Sequence, residues 1–374
     1  MYDTIIVGAG PTGSYIAHRL ASLGHKVVVF EEHERIGEPV QCTGIVGAEC
    51  LEHFPLFDGT VLGEVSSARL FSPSRKEIRL WRESVQAYIV DRAAFDRSLA
   101  EKAQEQGAHY LPGSRVKDIA LLNDRVMVET DGQETCEAKT AVIASGFDSR
   151  IPQKLGLGRV GDLVIGAQAE VSIDGHSELE VYFDHGVAPG FFAWFVPTVP
   201  KRALVGLFSR RKPGRHLRML LATLFQQGRI ASPEAKITYR GIPLKPLPKT
   251  YRERVIVVGD AAGQVKPTTG GGVYYGLLCA EMATDTLQQA LATDTFSEKL
   301  FSGYQEAWQE KIGWELRIGY FARCLYERLT DRQIDYLFHL TASKGIHESL
   351  LQSPDLSFDW HGKAILKGLK YLGP

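Results

Sequence analysis

The run Gly8-Ala9-Gly10-Pro11-Thr12-Gly13 constrains this chain more than any other feature. A short apolar strand, Thr4 to Val7, leads into it. A helical pattern follows, with Ile16, Leu20 and Leu23 at i, i+4 and i+7, and Gly24 ends it. A second strand, Lys26 to Phe30, is nearly all Val, the composition of a strand buried on both faces. Glu31 stands at its end. A glycine-rich turn alone says little, because such turns are common. Set between strand and helix, with an acid closing the next strand, it reads as a dinucleotide-binding strand–helix–strand unit. Gly8 permits the tight turn, Gly10 lets backbone approach a pyrophosphate, and Gly13 lets helix and strand pack closely. The helix N-terminus turns its N–H groups and positive dipole end to the phosphates. Glu31 suits the hydroxyls of a ribose. The competing reading is a structural turn beside a surface acid.

A second glycine cluster indicates which dinucleotide. The strand Arg254 to Val258 ends in Gly259-Asp260, followed by Ala261-Ala262-Gly263 and then Gly270-Gly271-Gly272. Brought beside the first unit, the Asp260 carboxylate would bond ribityl hydroxyls. Backbone as bare as Gly271 and Gly272 can lie against an isoalloxazine ring. The helix that opens at Gly272 and Val273 would stabilise negative charge on a reduced flavin. The cofactor expected is therefore FAD. The alternative is a plain glycine hinge.

The expected fold class is α/β: a Rossmann-type FAD-binding domain interleaved with a mostly antiparallel substrate-binding sheet, plus a C-terminal helical region. Residues 65–90 alternate apolar and polar, and residues 163–250 are rich in aromatic and β-branched residues with turn signals. Asp91 to Gln106 reads as a helix, followed by short strands near 115–119, 125–129 and 141–145. These signals assign 1–65, 90–155 and 251–295 to the FAD-binding domain, 66–89 and 156–250 to the antiparallel substrate or cap domain, and 296–374 to the helices.

Composition removes other classes. With 44% hydrophobic and 23% charged residues over 374 positions, the chain can bury a large core unaided. The formal net charge of −1 argues against a nucleic-acid partner bound through a basic field. Five cysteines without C-x-x-C spacing support neither a zinc site nor a disulfide framework, and suit a cytoplasmic setting. The 11 histidines show no ligand spacing, so no metal is expected. The N-terminus is not a signal peptide, and no run of 18 apolar residues would span a membrane. No sequence feature specifies an oligomeric state.

These motifs resemble those of the FAD-dependent oxidoreductase superfamily that includes aromatic hydroxylases and geranylgeranyl reductases, over about residues 1–295. The resemblance implies that Arg92, in YIVDRAAFDRSL, contacts the FAD phosphates or ribityl chain. The bland alternative is an exposed arginine at a helix start. Val116, in GSRVKDI, matches the strand residue whose backbone meets the adenine. ASGFDSR, Ala144 to Arg150, is similar to a second phosphate-side motif but carries Ser145 where Asp is usual. PGFFAWFVP resembles the P-x-x-Y-x-W-x-F-P signature of geranylgeranyl reductases, with Phe192 for Tyr and Val196 for Phe. PVQCTG resembles the cysteine loop of the archaeal-type reductases, which places Cys42 and Thr43 at the cofactor, and KPTTGGG is close to their P-x-T-G-G-G.

The implied activity is an FAD-dependent reductase that saturates C=C bonds of a prenyl, geranylgeranyl-type chain on a lipid or diphosphate. NAD(P)H or a small reduced carrier would supply the electrons. Phe191, Phe192, Trp194 and Phe195 would form an extended aromatic strand walling an apolar cavity, with Phe192 and Trp194 as substrate residues. Such aromatics otherwise serve as core. Cys42 would gate the flavin or donate a proton. Its alternative is a small buried hydrophobe. Lys266 reads as a solvated loop lysine without a role. The segment His361 to Leu372 sets Ile365, Leu366, Leu369 and Leu372 against Lys363, Lys367 and Lys370. It suits either a helix packed on the protein or a peripheral contact with a membrane carrying a lipid-linked substrate. The other activities compatible with an FAD frame are a flavin monooxygenase or halogenase, and an electron-transfer flavoprotein.

Overall fold

The computed structural model describes residues 1–147, 150–175, 178–353 and 357–372. The chain divides into two compact units. One comprises Met1–Val40, Arg92–Asp162 and Pro243–Leu316, and the other Gln41–Asp91, Leu163–Ile242 and the residues from Arg317 on. The first unit thus takes up 156–162 and 243–250, and the second takes 41–65. The helix Glu298–Tyr326 contributes to both.

The first unit is built on an eight-stranded sheet. Its parallel core runs Val255–Val257, Thr135–Ile143, Tyr2–Val7, Val27–Phe30, His109–Leu111. These strands are apolar because both of their faces are covered. All four residues of Val27–Phe30 are buried, as are Ile5, Ile6, Val142 and Ile256. The helices Pro11–Ser22 and Arg92–Glu105 fall where the sequence pattern predicts helices, and Val273–Ala292 follows the triple glycine. From Tyr2–Val7 the chain enters Val27–Phe30 on one side, and Thr135–Ile143 pairs on the other. This reversal is the switch point at which open α/β sheets bind ligands, at the carboxyl ends of the strands.

The second unit carries a seven-stranded sheet, in the order Ile237–Pro243, Leu163–Ser172, Arg202–Ser209, Ala193–Pro197, Leu179–Tyr182, Ser67–Phe71, Glu77–Trp81. Within it, Leu163–Ser172 with Arg202–Ser209, Arg202–Ser209 with Ala193–Pro197, Ala193–Pro197 with Leu179–Tyr182, and Ser67–Phe71 with Glu77–Trp81 pair antiparallel, and Leu179–Tyr182 pairs parallel with Ser67–Phe71. A separate three-stranded sheet joins Ile45–Gly47, Ala87–Val90 and Val61–Val65. The helix Pro213–Gln226 lies within the stretch expected to be sheet. Its Leu217, Leu220, Leu221 and Leu224 repeat at helical spacing and are buried against one face of the seven-stranded sheet. The aromatic and β-branched richness of the flanking strands masks this period.

Candidate functional site

The register of the parallel strands assembles the edge where the glycine motifs meet. Val7 stands abreast of Phe30 and Ile143, and Ile143 abreast of Val257. The next residue of each strand therefore begins a loop at the same level. Gly8, Glu31, Ala144 and Val258 are held there by backbone hydrogen bonds to the neighbouring strands. Asp260 follows in the short helix Gly259–Ala262.

The three glycines of the first motif do different work. Gly8 has φ +106°, and a Cβ on it would stand 2.5 Å from the Ala144 carbonyl oxygen. A Cβ on Gly13 would stand 2.0 Å from the Gly8 carbonyl oxygen. Both positions need glycine for the fold itself. A Cβ on Gly10 would meet nothing within 4 Å, so this glycine faces open space. Gly10 is also the N-cap of the helix Pro11–Ser22, which has no side-chain cap and no acid in its first turn. Its N-terminal dipole is left for an anion. Glu31 braces the turn: its Oε2 accepts from the Ala9 N–H at 2.9 Å, and its Oε1 accepts from the His33 N–H at 3.0 Å.

The second glycine cluster packs against the first. The Thr12 hydroxyl oxygen would lie 3.0 Å from a Cβ on Gly259 and 2.7 Å from one on Gly276. These two glycines make room for Thr12, so the fingerprint turn, the Gly-Asp motif and the helix Val273–Ala292 lock together. The sequence reading missed Gly276, because one glycine inside a long helical pattern carries no distinguishing signal. A Cβ on Gly272 would come within 2.7 Å of Asp260 Oδ1, and one on Gly271 within 2.9 Å of Lys266 Cε. Lys266 is buried at 5% exposure and forms part of this packing, which corrects the expectation of a solvated loop lysine. Val273 opens the helix, again with no acid in its first turn.

Arg92 is the first residue of its helix and is not exposed. Its guanidinium grips the Asp96 carboxylate one turn on, with both side chains 11% exposed. That overturns the reading of a solvated helix-start arginine. Val116 begins the strand Val116–Leu121 and is buried. In ASGFDSR, Ala144 touches the Gly8 turn, and the Ser145 hydroxyl is buried without a hydrogen-bond partner among the described residues. Asp148 and Ser149 of that motif lie outside the described residues.

The cysteine loop and the aromatic strand belong to the second unit, and one unanticipated residue joins them. Gln168, 8% exposed, accepts at Oε1 from the Thr43 hydroxyl at 2.7 Å and from the Trp194 indole N–H at 3.4 Å. Cys42 is half-buried, and the Gly44 N–H points to its sulfur at 3.4 Å. Trp194 lies flat across the neighbouring strand, where a Cβ on Gly206 would be 2.3 Å from its ring. Phe208 gathers the aromatics, 4.8 Å from Trp194 and 5.3 Å from Phe192 between ring centroids. The four aromatics do not share one wall. Side chains alternate along a strand, so Phe195 turns the other way, into the core under the helix Pro213–Gln226. Phe191 is fully buried beneath the Arg323 guanidinium, which sits 3.8 Å from its ring centroid. Phe192 and Trp194 remain the pair that meets in a cluster separate from that core.

The first unit fits a flavin dinucleotide. An open cradle at Gly10, an uncapped helix N-terminus and an unpartnered Ser145 hydroxyl are features a bound pyrophosphate and its sugars would use. No described helix is long and apolar enough to cross a membrane.

Comparison with known proteins agrees. A family model described as lycopene cyclase protein matches residues 3–335. A digeranylgeranylglycerophospholipid reductase of Methanocaldococcus jannaschii is 32% identical over 359 residues, covering 90% of each chain. A second, from Methanopyrus kandleri, is 30% identical and covers 90% of this chain and 89% of its own. Among solved structures, a geranylgeranyl bacteriochlorophyll reductase-like protein from Thermoplasma acidophilum superposes with a TM-score of 0.86 at 23% identity, covering 98% of this chain and 95% of that one. That likeness shows the shared fold. With relatives of this identity over nine-tenths of its length, the chain belongs to the geranylgeranyl reductase family of FAD-dependent oxidoreductases.

Proposed function

We propose that this protein saturates C=C bonds in the prenyl chains of a digeranylgeranylglycerophospholipid-type lipid. One observation carries the reading: glycine loops, an open cradle and two uncapped helix N-termini gather at one sheet edge. They do so in a chain whose relatives are named for that reduction.

The residues take the following parts. Gly8, Gly10 and Gly13 shape the pyrophosphate cradle, and Glu31 holds the ribose hydroxyls. Arg92, positioned by Asp96, adds a guanidinium for the phosphates. The Val116 backbone flanks the adenine. Asp260 accepts from ribityl hydroxyls, and Gly271, Gly272 and Val273 present bare backbone and a helix N-terminus to the ring. Thr43 and Cys42 complete the contacts. Reduced FAD, when bound, supplies a hydride to one alkene carbon. Cys42 delivers the proton to the other, so one bond gains two hydrogens. Phe192 and Trp194 offer π faces to positive charge developing at the substituted carbon. A prenyl chain has no polar handle, and its affinity comes from burial at about 0.8 kcal/mol per CH₂.

The electron donor in this reading is NAD(P)H or a small reduced carrier. The helix Gly362–Leu372 offers a peripheral lipid contact. Its Leu366 is exposed beside Lys363 and Lys370, while Ala364 is buried. The Leu372 side chain lies outside the description. The test is reoxidation of dithionite-reduced protein under argon. Digeranylgeranylglyceryl lipid should reoxidise the flavin, and oxygen-dependent NADPH consumption should not rise on adding it. The reverse pattern would favour a monooxygenase.

A further inference from the structure

A cavity of about 600 Å³ opens within the second unit, lined by Arg69, Phe71, Arg75, Glu180, Tyr182 and Arg229 among others. That volume lies in the range of small-molecule sites, about 300–1,000 Å³. None of these residues belongs to the motifs assigned above.

The lining is built in layers. Glu180 is 2% exposed and anchors it. Arg229 reaches Glu180 at 2.8 Å and Arg69 reaches it at 3.4 Å, while the Tyr182 hydroxyl donates to the same carboxylate. Phe71 and Tyr182 stack with ring centroids 5.3 Å apart. Arg69 covers the Phe71 ring at 5.0 Å, and Arg75 covers the Tyr182 ring at 5.6 Å.

The charges do not cancel. Arg69 grips Glu77 through two N–H bonds of 2.8 and 2.7 Å. Arg229 has Glu180, and Glu178 is taken by Ser67 and by Arg79, which is not among the lining residues. Arg75 faces no carboxylate among the described residues. The chain nevertheless holds Arg75 in place at some cost. Its φ is +65°, a left-handed backbone that costs a residue with a side chain on the order of 1 kcal/mol. Asp335 clamps the turn by accepting from the Ser74 N–H at 3.0 Å and from the hydroxyls of Ser72 and Ser74.

We propose that this cavity is a binding site for the phosphate group of an anionic small molecule or lipid headgroup, with Arg75 as its principal ligand. A guanidinium matches phosphate oxygens in a bidentate way, and Arg69 and Arg229 are pre-set by Glu180 to stand beside it. The stacked Phe71 and Tyr182 rings support the Arg69 and Arg75 guanidiniums from beneath. The site is independent of the reductase reading.

The test uses the FAD-loaded protein at low ionic strength. Calorimetry with glycerol phosphate probes a soluble ligand, and co-sedimentation with phosphatidylglycerol against phosphatidylcholine vesicles probes a headgroup. Wild type should bind at least one probe saturably, and Arg75→Gln should weaken that probe at least tenfold. Arg75→Gly should do the same while relaxing the left-handed backbone, so lost binding would not be lost folding. Arg202→Gln, whose partner Glu170 is outside the lining, should leave binding unchanged. Whichever probe depends on Arg75 names the source. Binding of neither probe, or equal binding by wild type and both Arg75 variants, overturns the proposal.

Discussion

Thr43 donates its hydroxyl hydrogen to Gln168 Oε1 across 2.7 Å. The same oxygen receives the Trp194 indole N–H, so one buried amide ties the cysteine loop to the aromatic strand. Gln168→Leu leaves both donors unpaired, which costs about 1–3 kcal/mol for each buried group. We expect a lower melting temperature and altered tryptophan fluorescence. Gln168→Glu keeps an acceptor and should recover part of the loss. An unchanged Gln168→Leu protein would show that the amide ties nothing together.

Thr12 fills the space left by Gly259 and Gly276. In Gly276→Ala the new methyl would stand 2.7 Å from the Thr12 hydroxyl oxygen. Overpacking of this kind costs about 1–3 kcal/mol. It falls between the two glycine motifs, so FAD affinity should drop along with stability. Adding Thr12→Ala vacates the space and should restore both. A double-mutant cycle read by flavin fluorescence and by melting would show coupling, because the two residues are neighbours. Strict additivity would contradict the interlock.

Arg323 is 5% exposed, and its Nε and Nη2 have no hydrogen-bond partner among the described residues. Burial depresses its guanidinium to about 10, well below the ordinary arginine range, against the pull of Glu327. The proton is thus held less firmly in the folded chain, so the cation costs stability at every pH below about 10 and the cost eases above it. The Phe191 ring at 3.8 Å offsets part of this. Arg323→Met should be as stable as wild type in urea titration, or more stable by about 1–2 kcal/mol. A loss of about 3 kcal/mol or more would mean that the charge has a strong partner.

Cys42 is proposed to supply the proton. Cys42→Ser and Cys42→Ala should keep FAD and its reduction yet saturate prenyl chains about 10²–10⁴-fold more slowly, the contribution of a positioned acid. Single-turnover rates of the reduced protein measure this. Wild-type rates in both variants would assign the proton to water.

Much of the first unit was legible because its signals are local. A buried Val-rich strand, a glycine turn and a terminal acid each announce themselves within a few residues. The register that sets Val7, Phe30, Ile143 and Val257 abreast then brings distant motifs to one edge. The second unit was harder to read. The helix Pro213–Gln226 was hidden among strand-like neighbours. The aromatic run looked like one wall until strand alternation sent Phe195 into the opposite core. Gln168, Gly206 and Phe208 owe their roles to cross-strand neighbours, which no local pattern encodes. Lys266 reads as solvated, as does Arg92 in its alternative reading, because charged residues usually are. Their burial follows from an ion pair and from glycine packing that only the folded chain supplies.

The central claim is that this chain adds two hydrogens across a prenyl double bond. The most direct measurement is the mass of digeranylgeranylglyceryl phospholipid after incubation, without air, with the dithionite-reduced FAD protein. The account predicts products heavier by two hydrogens for each bond reduced, and no product when the protein carries no FAD. Lipid of unchanged mass beside fully reduced, correctly folded protein would contradict it.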